Sequence, residues 1–450
     1  MQAKVDQSME FKKTENHLQR ALATSIPLVF VEMVSSLYSL IDTYFISGLG
    51  DSALAGVGAS SYILWLYNVL LALFQTPIMI LVSQSIGAGL KNKARSIIGE
   101  ICFKGGLIIL VITGVLYTFS PTILAVQSGL TGEAYDHALT YLSVRVLGLP
   151  LFYLSMCFDT SIIATARTKI TLLVNTIGLV GNMILDPLLI YGYLGFPRMG
   201  VAGAALATVV SGTFTIPFQL YYLSALGLSP SLGRDNSVLF KAMKLGYPAM
   251  LERFVFALGN NVYAGVISRM GPRVMAAHNI GLRIESLVYM PGFAFSLTAS
   301  TLVGQKIGEG RIDEAKRLGL ETVRLGVLVM GGLGLLLALT GRFLSSPFSP
   351  DEEIAGLAST YLLIAGLSEP GLGLSMVVSG GIRGAGSTKI PFIINSLSLY
   401  LFRVIPSIIL SKPLGVLGPW ISMFVDVYAR GIILFLVYYK RFAKLAVKHV

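Results

Sequence analysis

Apolar residues run along this chain in long blocks, separated by short polar stretches rich in Gly, Pro, Lys and Arg. A helix needs about 20 mostly apolar residues to cross a bilayer. Twelve blocks meet that length, near 22–48, 54–86, 97–122, 137–163, 170–194, 200–226, 243–269, 275–305, 317–345, 354–382, 389–411 and 416–439. Several exceed 25 residues, so tilt, kinks and ends projecting beyond the hydrocarbon are expected. The pattern predicts an all-α integral membrane protein.

Composition removes the main competitor. Of 450 residues, 54% are hydrophobic and only 13% charged, and the mean hydropathy is +0.74. A soluble enzyme of this length would need a thicker charged coat. The net charge of +11 would point to nucleic acid in a soluble chain. In a membrane protein it marks loops held in the cytoplasm, and no nucleic-acid partner is expected. Residues 1–20 are polar and read as a short cytoplasmic lead-in rather than a secretory signal.

The basic residues also orient the spans. Alternate connections, with the lead-in and the tail, carry 22 Lys and Arg, including Lys4, Lys12, Lys13, Lys91, Arg167, Arg234, Lys306, Arg383 and Lys440. The opposite connections carry five, Arg198, Arg269, Arg273, Arg342 and Lys412. This asymmetry places both termini in the cytoplasm of a multi-pass cell-membrane protein and requires an even number of spans.

The chain also repeats itself. At a shift of 221, Pro27 falls on Pro248 and SQSIGAG (83–89) on GQKIGEG (304–310). At 220, TYL at 140–142 falls on TYL at 360–362, Pro150 on Pro370, TKI at 168–170 on TKI at 388–390, and Asn175 on Asn395. Two six-helix lobes follow: residues 1–226, then a cytoplasmic linker at 227–242, then 243–450 with its basic tail. Two parallel repeats around a central cavity are a known transporter design. Channels and receptors have no need of two matched lobes.

Ionisable groups inside a span are costly to insert and are functional candidates by default. Asp42 and Asp186 both fall in the outer half of the first lobe, with Asn182 one turn before Asp186 and Tyr38 one turn before Asp42. Two acids and an amide at similar depth can bind Na⁺ through oxygen or share a proton. A carboxylate hydrogen-bonded to neighbouring helices is the plainer reading of Asp186. Pro187 removes a donor inside its helix, and Pro27 marks either a hinge or a static bend. Glu32 and Glu252, just after the paired prolines, are placed to line the cavity near mid-membrane. Arg253 beside Glu252 points about 100° away, so the two are not expected to pair. Asp159 lies in the inner half of its helix. Arg283, Glu285, Arg403 and Asp426 read as interhelical polar pairs. Tyr38 and Met156 suit a pliable substrate cavity, and equally ordinary packing. The four histidines have no metal-ligand spacing, and no phosphate loop, nucleophile elbow or paired-cysteine site is present. No metal, cofactor or enzymatic activity is expected.

Taken together, IDTYFISGLGDSALAG (41–56), SQSIGAG (83–89), NMILDPLLIYG (182–192), GVAGAALAT (200–208), GQKIGEG (304–310) and GGIRGAGSTK (380–389) resemble the multidrug and toxin extrusion (MATE) family over nearly the whole chain. The pattern looks most like its DinF-type branch, including archaeal members. The resemblance implies that Asp42, Asn182 and Asp186 form a cation-coupling network with Tyr141 nearby; Asp159, by its place inside a span, is a further candidate for that network or a plain partner of a nearby polar group. It also implies antiport of amphiphilic, often cationic compounds against H⁺ or Na⁺, by a monomer, with α-helical bending at Pro27. A flippase for lipids or lipid-linked oligosaccharides is the alternative within the same superfamily. The first half departs from the pattern at IATARTK (163–169), where the second keeps IRGAGSTK (382–389).

Overall fold

The computed structural model describes residues 17–233 and 237–450. Lys4, Lys12 and Lys13 of the expected lead-in, and Arg234 of the expected linker, lie outside the described residues. Twelve helical rods account for nearly all the rest, with no strand among the described residues. In the first half α1 spans His17–Ser47, α2 Asp51–Gly87 and α3 Lys91–Ser128. They are followed by α4a Glu133–Leu147 with α4b Leu149–Ala164, α5 Thr168–Tyr191 and α6 Gly200–Ala225. In the second half α7 spans Ser237–Ser268, α8 Pro272–Gly308 and α9 Ile312–Phe348. The last three are α10 Glu352–Gly384, α11 Lys389–Leu414 and α12 Leu417–Leu445.

Ten of these helices are individually long and apolar enough to cross a membrane, and α4a with α4b makes an eleventh. The twelfth, α7, has the length at 32 residues, but Glu252, Arg253, Asn260 and Asn261 dilute its apolar stretch. Large apolar side chains face outward, among them Val126, Leu339 and Phe343, each more than three-quarters exposed. Only hydrocarbon surroundings make such a surface favourable, and a helix satisfies its own backbone there.

Contacts divide the described residues into two units, Phe30–Met250, and Leu251–Val450 together with α1 up to Val29. Both boundaries thus fall inside helices, two residues after the repeat-related prolines Pro27 and Pro248, rather than in the polar connection at 227–242. The described part of that connection is held in place. The Ser231 N–H donates to the Arg95 carbonyl at 3.1 Å, and Arg95 Nε donates to the Ser229 carbonyl at 3.0 Å.

Within Phe30–Met250 the helices close up where side chains are small. A Cβ on Gly56 would sit 2.7 Å from the Ala134 carbonyl, which brings α2 against α4a. A Cβ on Gly203 would sit 2.3 Å from the Leu189 carbonyl, so α6 packs backbone-close on α5. The span expected at 137–163 is bent by 50° between α4a and α4b. Pro150 lacks the donor needed to carry the hydrogen-bond ladder across, and Val209 packs where Gly148 has no side chain. A π-bulge at Ile101–Gly105 widens α3, and the Tyr153 hydroxyl donates to the freed Ile101 carbonyl at 2.6 Å.

In the other unit α8, α9, α10 and α12 share a core that includes Phe295, Val303, Val377, Leu434 and Tyr438. A second cluster gathers Tyr263, Tyr361 and Trp420. The repeat is visible but inexact. Pro370, matched to Pro150, sits within an unbroken 33-residue helix, and the second π-bulge lies in α11 at Leu399–Val404, which has no counterpart in α5.

Candidate functional site

The unit Phe30–Met250 holds a cavity of about 630 Å³. Asp42, Arg145 and Asp159 supply its charged groups, Tyr38, Tyr67 and Tyr141 its phenols, and Trp65, Phe152 and Met156 apolar walls. Local helix geometry explains one end of it. Tyr38 and Asp42 on α1, Tyr141 and Arg145 on α4a, and Asn182 and Asp186 on α5 are three pairs spaced i, i+4. Each pair therefore presents both side chains on one helix face.

Behind the cavity wall, Asn182 and Asp186 are fully buried, and Asn182 Nδ2 donates to Asp186 Oδ1 at 3.1 Å. Asp186 Oδ2, Asn182 Oδ1 and Asp42 Oδ1 are buried acceptors that no donor among the described residues reaches. The two carboxylates interact electrostatically, and Tyr141 interacts with both. A buried acceptor without a donor is expensive. Three on neighbouring positions make a site whose unmet demand is for positive charge. Among the described residues no group of three or more His, Cys, Asp or Glu could hold a metal ion, so any cation here rests on two carboxylates and an amide. Tyr38 stands beside it, its hydroxyl 2.9 Å from Ser211 Oγ.

Arg145 is the residue that reading the sequence for acids overlooks. Its guanidinium lies 5.9 Å from the Tyr141 ring centroid and within electrostatic range of Asp42, with no ion pair among the described residues. The available signal was a cation in the middle of the span at 137–163, one turn after Tyr141.

Asp159 opens on the same cavity as Asp42 but belongs to a different polar group. Asn175 Nδ2 donates to Asp159 Oδ1 at 3.4 Å and to the Thr171 carbonyl at 2.9 Å, and Glu32 acts on Asp159 electrostatically. Glu32 is half-buried beside this group and is not part of the cavity lining, contrary to expectation.

Glu252 also departs from its expected place in a substrate cavity. It lies in the other unit, almost fully buried, where Arg383 Nη2 and Asn395 Nδ2 donate to its Oε1 at 2.6 and 2.7 Å. The pairing partner is Arg383 on α10, three helices away in sequence, because helix packing brings them together where adjacency to Arg253 does not. Asn395 also donates to Ser379 Oγ at 3.2 Å. Asn395 and Ser379 are the repeat-related positions of Asn175 and Asp159, so at the matched position Asn175 meets a carboxylate and Asn395 a hydroxyl, while the carboxylate that Asn395 holds comes from Glu252 on another helix. Arg403 and Asp426 pair as expected at 3.0 Å, while Glu285 accepts a hydrogen bond from the Tyr361 hydroxyl at 2.5 Å.

The chain's similarity to known proteins agrees with this architecture. The MatE family model matches residues 27–188 and 248–409. The two matched segments begin 221 residues apart, the shift of the internal repeat. The probable multidrug resistance protein NorM of Thermotoga maritima is 28% identical over 417 residues, covering 90% of this chain and 89% of that protein. The uncharacterized transporter YisQ of Bacillus subtilis is 25% identical, covering 90% and 91%. Among solved structures, a MATE in the bent conformation superposes with a TM-score of 0.86 at 22% identity, covering 96% of this chain and 99% of that one.

Proposed function

The chain belongs to the MatE family, and we propose that it is a secondary active multidrug efflux transporter of the cell membrane, exchanging amphiphilic or cationic compounds for H⁺ or Na⁺. The observation that carries this reading is the set of buried acceptors on Asp42, which lines a cavity of about 630 Å³, and on Asn182 and Asp186 behind it. Its volume lies in the range of drug-sized sites, and its lining mixes aromatic walls with a few charges. The multidrug-resistance names of relatives matching nine-tenths of the chain support the same function. They lend no support to the flippase alternative.

On this reading a proton or Na⁺ enters at Asp42 and Asp186, where it satisfies oxygens that otherwise lack a donor. Neutralising that charge changes what the adjacent cavity offers to a substrate, which is the differential interaction any coupled exchange requires. Pro27 serves as the hinge. Support comes from its position two residues before the point where α1 passes from one contact unit to the other. Both termini face the cytoplasm, as the distribution of Lys and Arg favours. The chain works as a monomeric transporter rather than an enzyme.

The test is efflux of a fluorescent cationic compound from proteoliposomes, driven first by an imposed pH gradient and then by an imposed Na⁺ gradient. One gradient is expected to drive transport in the wild type and to fail in Asp186→Asn. Full efflux by Asp186→Asn would overturn the assignment of the coupling site. Transport without either gradient would overturn antiport.

A further inference from the structure

A second cavity, of about 440 Å³, lies in the unit Leu251–Val450 between the last turns of α7 and α11. Its walls are apolar, with Val262 and Val266 on one side and Ile408 on the other, and two cations, Arg269 and Lys412, stand at its mouth. α7 and α11 touch where Gly259 has no side chain and Leu399 takes the space. Gly265 faces the gap, and a Cβ there would meet nothing within 4 Å. The opening is thus built by two glycines, one allowing contact and the other leaving room.

The charges at this end of the molecule are distributed unevenly. Arg273 is held by Asp351 at 3.1 Å and by Glu353, and Arg342 is held by Glu352. Arg269 and Lys412 are exposed and have no acidic partner among the described residues. Basic residues are scarce on this side of the chain, with five in all. Two of the five are neutralised by neighbouring acids, and the two left uncompensated in this unit converge on one apolar groove. Cations at helix C-termini gain a little from the helix dipole, but that gain does not require them to share a groove.

We propose that this groove binds an anionic phospholipid of the adjoining leaflet, with its phosphate between Arg269 and Lys412 and an acyl chain along Val262, Val266 and Ile408. Arg269 directly follows the last residue of α7 and Lys412 lies in the last turn of α11, the ends of two membrane-length helices, and their charge complements a phosphodiester. Each basic side chain near a membrane surface adds to attraction for anionic lipid.

The experiment uses the full chain, purified and reconstituted in nanodiscs of phosphatidylcholine with a minor fraction of phosphatidylglycerol, and counts retained lipids by native mass spectrometry. The wild type is expected to retain phosphatidylglycerol over phosphatidylcholine by up to about thirtyfold, from two surface cations. R269Q/K412Q is expected to lose that preference, and R342Q, which removes an already paired charge at the same end, to keep it. Equal retention of the two lipids by the wild type would overturn the proposal. So would a preference that survives R269Q/K412Q. Displacement of phosphatidylglycerol by millimolar inorganic phosphate would show that the groove takes a small anion, and would overturn the lipid assignment.

Discussion

Asn182 and Asp186 are joined by a hydrogen bond of 3.1 Å in a fully buried position, yet each keeps one acceptor oxygen that no donor among the described residues reaches. Asp42 presents a third such oxygen from α1. A protein held only by packing would fill such positions with donors or apolar groups. Together, on α1 and two turns of α5, they are the acceptors that the proposed coupling cation would satisfy.

The isosteric change Asp186→Asn removes the titratable group and one negative charge while keeping shape and volume. Coupled efflux is expected to fall at least about tenfold, while stability shifts by less than about 1 kcal/mol, because the replaced oxygen has no donor to lose. Efflux rates in proteoliposomes and thermal unfolding of the same preparation check both halves.

Arg145 places a fixed positive charge within range of Asp42 and therefore opposes entry of a second cation. Arg145→Met is expected to lower the concentration of coupling cation needed for half-maximal efflux by about tenfold, whereas Arg145→Lys leaves it nearly unchanged. Titration of efflux against the driving cation separates the two variants. A rise in the required concentration for Arg145→Met would reverse the sign of this argument.

Removing one partner of a buried ion pair leaves the other charge uncompensated. Glu252→Ala is expected to cost about 2–4 kcal/mol, at the lower end of such losses because the Arg383 side chain is 25% exposed. Thermal or denaturant unfolding reads this directly. Glu252→Ala with Arg383→Met is expected to recover part of the loss.

Ala166 adopts φ +61°, a left-handed conformation, where the repeat-related position is Gly386 at φ +96°. An L side chain pays roughly 1 kcal/mol there, and glycine does not. Ala166→Gly is expected to stabilise the protein by up to about 1 kcal/mol, seen as a higher unfolding midpoint. Gly203→Ala, by contrast, drives a Cβ to 2.3 Å from the Leu189 carbonyl. It is expected to destabilise by about 1–3 kcal/mol or more.

The sequence alone determined the class and its plan. Span length is set by hydrocarbon thickness, so twelve apolar blocks announce twelve helices. The pairing of Pro27 with Pro248 and Tyr141 with Tyr361 was readable because a repeat keeps its punctuation. The acids Asp42 and Asp186 stood out because charge inside a span is costly. Tertiary structure decided whatever depends on which faces meet. Helical periodicity places a side chain on a face of its own helix but says nothing of its neighbour on another. Hence Arg145 came within electrostatic range of Asp42, Glu252 found Arg383 131 positions along the chain, and Glu32 came within electrostatic range of Asp159. The bend at Pro150 and the unbroken helix at Pro370 make the same point. The same residue at matched positions gives two geometries, because a proline's missing donor only permits a break, and the surrounding packing decides whether the helix takes it.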